Sequence, residues 1–161
     1  MTKFSSYALS VRPSRLRHWL CIGLIALIPD ATLALADPIE FTSVIDDSPL
    51  PIKDLPNETA TEAVKSFMAT GENPYRGDAN ALVAGKQLYM QNCQACHMPD
   101  GSGRIGPSFI GDTHHYDRFT TDKGMFEIIY GGATGAMQPF GKRLTKDQIL
   151  HVMAYVRSLK K

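Results

Sequence analysis

The chain is short of several features that would place it quickly. It contains no long basic tract, which argues against nucleic acid as a partner. Its longest apolar run, Trp19 to Ile28, falls short of the roughly 20 residues that a spanning helix needs, so no stable membrane insertion is expected. No internal repeat occurs, and no strand-like alternation appears beyond residue 77. Cysteine is scarce: Cys21 sits inside the apolar run, leaving Cys93 and Cys96 as the only pair. A structural zinc site would call for a second pair, and a thioredoxin-like dithiol for a βαβ setting. Neither is present.

What is present begins with an export leader. Arg12, Arg15 and Arg17 precede the apolar run, and Ala34-Leu35-Ala36 is a small-x-small cleavage signal. Residues 1–36 are therefore read as a signal peptide cleaved after Ala36, with Asp37 the first mature residue. Cys21 lies within the apolar run rather than after it, so a lipoprotein is not indicated. The formal charge of +1 belongs to this leader, which holds Lys3 and three arginines against Asp30 alone. Its removal leaves 13 basic and 15 acidic side chains, a net of −2. Net charge alone then implies no strong electrostatic steering.

The mature chain divides into an arm, 37–76, and a domain, 77–161. Pro38, Pro49, Pro51 and Pro56 keep the first part of the arm irregular. A short helix is predicted over Asn57–Thr70, with Val64, Phe67 and Met68 on one face and Gly71 as its stop. In the domain, a helix is predicted over Ala79–Cys93, with Leu82, Leu88 and Tyr89 as its apolar side and Gly85 allowing another backbone to come close. A glycine-rich loop runs from Met98 to Gly111. A helix over Thr121–Tyr130 follows, ended by Gly131-Gly132. The last helix opens with a capping box, Thr145 and Gln148, and a hydrophobic staple, Leu144 and Ile149. Ile149, Val152, Met153, Val156 and Leu159 then recur at helical spacing, and Lys160 and Lys161 suit the dipole at its end. The expected class is all-α.

Cys93-Gln94-Ala95-Cys96-His97 is the C-x-x-C-H pattern of covalent haem attachment. Two thiols add to the two vinyl groups, so their separation must be short and fixed, and His97 is then placed as the proximal iron ligand. Export agrees with this, because bacterial haem attachment occurs outside the cytoplasm. For the sixth ligand, Met137 is the leading candidate. It lies in Gly131-Gly132-Ala133-Thr134-Gly135-Ala136-Met137-Gln138-Pro139, where glycines permit a tight fold and Pro139 stiffens it. His114 and His115 remain alternatives for a bis-histidine haem. Met125 and Met153 read as core, Met98 is too near His97, and His151 reads as a helix-surface residue. The Pro107 carbonyl, in Ile105-Gly106-Pro107, is a candidate acceptor for the second ring nitrogen of His97.

With these residues, the chain resembles class I cytochrome c, and within it the cytochrome c-L group of methylotrophic bacteria. Val44-Ile45-Asp46-Asp47-Ser48-Pro49-Leu50 is similar to the group's N-terminal arm. Thr61 to Phe67, Thr70 to Tyr75, Gly103 to Pro107, Thr121 to Gly124 and Tyr130 to Gly135 also fit its pattern. The group's Trp after the haem site is replaced here by His114-His115-Tyr116-Asp117-Arg118-Phe119. The resemblance implies a class I cytochrome c fold with an N-terminal arm, helices packed around one covalent haem c, and Met137 as axial ligand. It implies a periplasmic, monomeric electron carrier rather than an enzyme. The implied donor is a PQQ-dependent methanol or alcohol dehydrogenase, and the implied acceptor a second c-type cytochrome. Alternatives are an acceptor of methylamine electrons through amicyanin and a permanent haem subunit of an oxidoreductase. A haem enzyme or gas-binding protein would instead use His114 or His115 as distal acid–base groups.

Overall fold

Four helices begin at a side chain that accepts a free N–H of the first turn. In the computed structural model, which describes residues 38–111 and 114–159, these are α1 (Glu62–Thr70), α2 (Ala79–Asn92), α4 (Asp122–Gly131) and α5 (Lys146–Leu159). Their caps are Thr61, Asp78, Thr121 and Thr145. The Thr145 cap is reciprocal, since Gln148 Oε1 accepts the Thr145 N–H at 3.0 Å, which is the predicted capping box. A single turn, α3 (Gln94–His97), follows α2, and a 3₁₀ helix (Asp117–Thr120) precedes α4. Among the described residues there is no strand, only one isolated bridge between Thr42 and Pro49. The predicted leader lies outside the described residues, as do Lys160 and Lys161.

α2 crosses α5 at very short range. A Cβ on Gly85 would stand 2.0 Å from the carbonyl oxygen of His151, so only glycine fits the crossing. The buried stripe of α2 is Ala81, Gly85 and Tyr89, at i, i+4 and i+8, with Leu82 and Leu88 half-buried beside it. On α5, Ile149, Leu150, Val152, Met153 and Val156 are all buried. His151 departs from expectation: its side chain is 18% exposed, because the Tyr75 ring lies tilted over it at 4.2 Å and its Nδ1 approaches the Asp147 carbonyl at 2.8 Å.

Residues 38–76 belong to the same compact unit as the helices. Phe41 is buried against Phe67 of α1 and Phe126 of α4, with ring centroids 6.0 and 5.5 Å away. Each such ring contributes about 2 kcal/mol through burial. The arm's backbone is tied down by distant side chains: Glu127 Oε1 accepts from Thr42 N–H at 2.8 Å, and Tyr130 Oη from Lys53 N–H at 2.7 Å. α1 starts five residues later than predicted. Glu58 instead closes a turn, accepting the Leu55 N–H at 2.8 Å, and also accepts the Lys146 N–H at 2.7 Å. The buried Lys146 ammonium pairs with Asp54 and Glu58, which satisfies a charge that would otherwise be costly to bury.

Asp122 is a second buried node. It accepts the Asn73 N–H at 2.9 Å and pairs with Arg76 at 2.7 Å and Arg157 at 3.3 Å. Burial alone would raise its pKa. The Arg76 hydrogen bond, the Asn73 N–H and both guanidinium charges outweigh burial and hold the carboxyl below its ordinary value. A depressed carboxyl contributes stability above its unfolded pKa of about 3.9, and that stability is lost as pH falls through the folded value. Accordingly, Asp122→Asn should cost about 3 kcal/mol at pH 7 and flatten the loss of stability below about pH 4. Urea unfolding at several pH values checks both. An acid limb as steep in the variant as in the parent would show that Asp122 does not carry it.

Candidate haem site

The C-terminal end of α2 builds the attachment turn. Cys93 leaves the helical track (φ −120°, ψ −35°) while its N–H still bonds the Tyr89 carbonyl at 2.8 Å. The chain then makes the single turn α3, with the Cys96 and His97 N–H groups both donating to the Cys93 carbonyl, at 3.1 and 3.0 Å. The two thiols and the imidazole are therefore carried on one rigid turn. Met98 (φ +65°) swings the chain away, and the buried Tyr89 hydroxyl donates to its carbonyl at 2.7 Å.

The following loop folds back onto this turn. Arg104 and Gly106 N–H donate to the Cys96 carbonyl at 3.2 and 3.0 Å, and Gly103 N–H to that of His97 at 3.0 Å. The consequence is that the Pro107 carbonyl stands 3.0 Å from His97 Nδ1. A carbonyl can only accept, so Nδ1 carries the proton and Nε2 keeps its lone pair. The approach is close enough that a Cβ on Gly106 would lie 2.4 Å from His97 Cε1. Phe109 stacks on the imidazole at 4.4 Å, and His97 is buried. Burial pushes its pKa below the ordinary imidazole value, against the opposing pull of the Pro107 bond, so the ring is neutral at pH 7. The Cys93 thiol is pushed up to about 11 by burial and the neighbouring Cys96, with Arg143 working the other way.

Met137 sits half-buried in the loop between α4 and α5. The loop is tight: a Cβ on Gly132 (φ +78°) would stand 2.9 Å from the Met137 carbonyl oxygen. Ala133 N–H donates to that same oxygen at 3.2 Å. Beyond Pro139, the Phe140 and Gly141 N–H groups return to the α4 carbonyls of Ile129 and Tyr130, each at 3.0 Å.

These parts enclose one mostly apolar cavity of about 610 Å³. Its wall includes Cys93, Cys96, His97, Pro107 and Met137 together, with Val152 and Val156 supplied by α5. Among the other candidates, His114, His115 and the buried Met125 also reach the wall, whereas Met98, Met153 and His151 do not. Among the described residues no carboxylate reaches it, while Arg104 and Arg143 do. The residues fit a haem: apolar walls for the macrocycle, two thiols on one turn, an imidazole with Nδ1 committed, and a thioether from a separate loop. Phe109 and Arg143 escaped the sequence reading, because a lone aromatic or arginine carries no local signal of contact with the Cys-x-x-Cys-His turn.

Comparison with known proteins bears on the fold and the family. Residues 80–156 match the family model described as cytochrome C oxidase, cbb3-type, subunit III. Cytochrome c-L of Methylorubrum extorquens is 40% identical over 99 residues, 62% of this chain and 50% of that protein. The chain thus spans about half the length of that curated relative. The solved cytochrome cL of the marine methylotroph Methylophaga aminisulfidivorans superposes with a TM-score of 0.73 at 42% identity, covering 74% of this chain and 80% of the other. That of Hyphomicrobium denitrificans gives 0.74 at 37% identity, covering 77% and 75%. The fold is that of class I cytochrome c, a class of electron-transfer proteins rather than enzymes. The chain belongs to the cytochrome c-L family, and its cofactor is covalently bound haem c.

Gly106→Ala should drive a methyl group into the His97 ring and break the Nδ1 bond to Pro107. Partners behind a metal ligand are worth about 10- to 100-fold in metal affinity, so haem-loaded protein should fall at least tenfold. Haem staining of the exported polypeptide, normalised to antibody signal, measures this, and parental loading would refute the cradle.

Proposed function

We propose that this protein is a periplasmic carrier of single electrons, with Cys93 and Cys96 as the thioether attachments, His97 and Met137 as the axial ligands, and Pro107 orienting His97. The observation that carries the reading is one apolar cavity walled by both the Cys-x-x-Cys-His turn and the Met137 loop. When bound, the haem supplies a one-electron couple at its iron. The chain's own groups then do the rest. The Pro107 carbonyl fixes the His97 tautomer, so Nε2 is the ligating atom. Burial keeps that imidazole neutral. With His97 and Met137 both holding it, a bound haem would offer a substrate no open position, and a thioether donor in this mostly apolar pocket would favour the reduced state, as an electron acceptor requires.

Ile105 and Ile110, 63% and 41% exposed, lie on the loop beside His97 and offer an apolar contact for a redox partner. Transient redox interfaces of this kind bury less than about 1,200 Å². The donor we assign is a PQQ-dependent methanol or related alcohol dehydrogenase, and the acceptor a second c-type cytochrome. The likeness to cytochrome c-L proteins, one from a methylotroph, supports this. We assign residues 1–36 as the cleaved export leader, 37–76 as an arm and 77–161 as the haem domain. Among the described residues, no helix is long and apolar enough to cross a membrane.

The oxidised protein should show the weak near-infrared band of methionine–iron ligation, and Met137→Ala should abolish it. A parent protein lacking the band, and binding carbon monoxide readily when reduced, would overturn the carrier reading. Mixed with methanol and a PQQ-dependent methanol dehydrogenase, the oxidised protein should be reduced in stopped-flow absorbance. Reduction by amicyanin alone would move the donor to methylamine oxidation.

A further inference from the structure

Among the described residues, the tip of the Met137 loop is hydrogen-bonded to the rest of the molecule at one side chain. Its entry and exit are pinned to α4, but Thr134, Gly135 and Ala136 are exposed. Gly135 (φ +85°) has open space where a Cβ would stand. Among the described residues, the hydrogen bonds that leave this tip go to the Tyr116 hydroxyl alone. It accepts the Thr134 N–H at 3.2 Å and bonds the Thr134 hydroxyl as well.

Tyr116 is itself well placed. It lies in the cavity wall, with the His115 ring edge-on at 4.6 Å. Its carbonyl accepts the Phe119 N–H at 3.0 Å at the start of the 3₁₀ helix. Phe119 stacks on Phe109 at 5.5 Å, and Phe109 stacks on His97. One six-residue segment, 114–119, therefore touches the ring stack of His97 at one end and the tip of the methionine loop at the other.

We propose that Tyr116 is a positioning residue that holds Met137 in ligation by clamping Thr134. The inference rests on Met137 being the sixth ligand. A thioether is a neutral, weak donor, so its hold against an incoming ligand depends on how far the loop is already ordered. Loss of the clamp returns conformational freedom to the tip and weakens the methionine's advantage. Each hydrogen bond is worth about fivefold in an equilibrium constant, so removing both should favour a competing ligand by about thirtyfold.

The test is an imidazole titration of the oxidised holoprotein, followed in the visible spectrum with the near-infrared band recorded in parallel. Tyr116→Phe should bind imidazole up to about thirtyfold more tightly than the parent, with a weakened band. Thr134→Val keeps the backbone N–H and should give about a fivefold effect. Val83→Ala, on the exposed face of α2, should match the parent. Unchanged imidazole affinity in Tyr116→Phe would overturn the clamp, even if the melting temperature falls. Should Tyr116→Phe fold poorly, Thr134→Val decides, since its side chain is exposed and an unchanged affinity there would overturn the shared hydroxyl contact. A parent protein without the near-infrared band would overturn the ligand assignment itself, a failure distinct from a clamp that has no effect.

Discussion

The backbone contact between α2 and α5 sets the rest of the molecule. With Gly85 packed against the His151 carbonyl, the two helices lie as close as chains can, and a side chain on either would part them. α2 ends in the Cys-x-x-Cys-His turn, and α5 supplies Val152 and Val156 to the cavity wall. The spacing between attachment site and wall is therefore inherited from one glycine a full two turns upstream of Cys93. Tyr89, one turn past the crossing, extends the constraint by bonding the Met98 carbonyl, so the chain leaves the attachment turn in a fixed direction.

A different principle governs the charged groups. The buried Asp122, Glu127 and Lys146 each serve two or more segments that are remote in sequence. Asp122 joins the segment before α2 to α4 and α5, Glu127 joins the arm to α4, and Lys146 joins the arm to α5. None lines the cavity, so the ionic framework is kept away from the cofactor. What surrounds the haem site among the described residues is apolar contact, aromatic stacking and hydrogen bonds to neutral groups, with Arg104 and Arg143 the charged side chains on the wall. That separation keeps the ligand set in a low-dielectric setting while ordinary charge pairing holds the scaffold.

Much of this was legible from local pattern. The Cys-x-x-Cys-His turn, the Thr145–Gln148 capping box, the close approach at Gly85 and the tight glycine loop around Met137 are all short-range devices, and a linear sequence displays them. The Pro107 carbonyl could be named because general coordination chemistry demands an acceptor behind a ligating histidine. Long-range pairings left no such trace. Nothing near Glu58 announces that Lys146 will use it, so the start of α1 was placed too early. Nothing near His151 shows that Tyr75 will cover it. The stack of Phe109 on His97 and the bond from Tyr116 to Thr134 depend on loops whose course is set only by the packed helices.

The arm's attachments also say something about the order in which the molecule can be made. Thr42 bonds a residue 85 positions away, Lys53 one 77 away, Thr61 one 86 away and Lys146 reaches back 88 to Glu58. Closing loops of that length costs about 4 kcal/mol in chain entropy before any contact repays it. Synthesis begins at the N-terminus, so the arm emerges long before these partners do. The attachment turn and its helix can form while the arm is still waiting. All four partners lie in α4 or α5, so the arm can dock only once these late helices have been made.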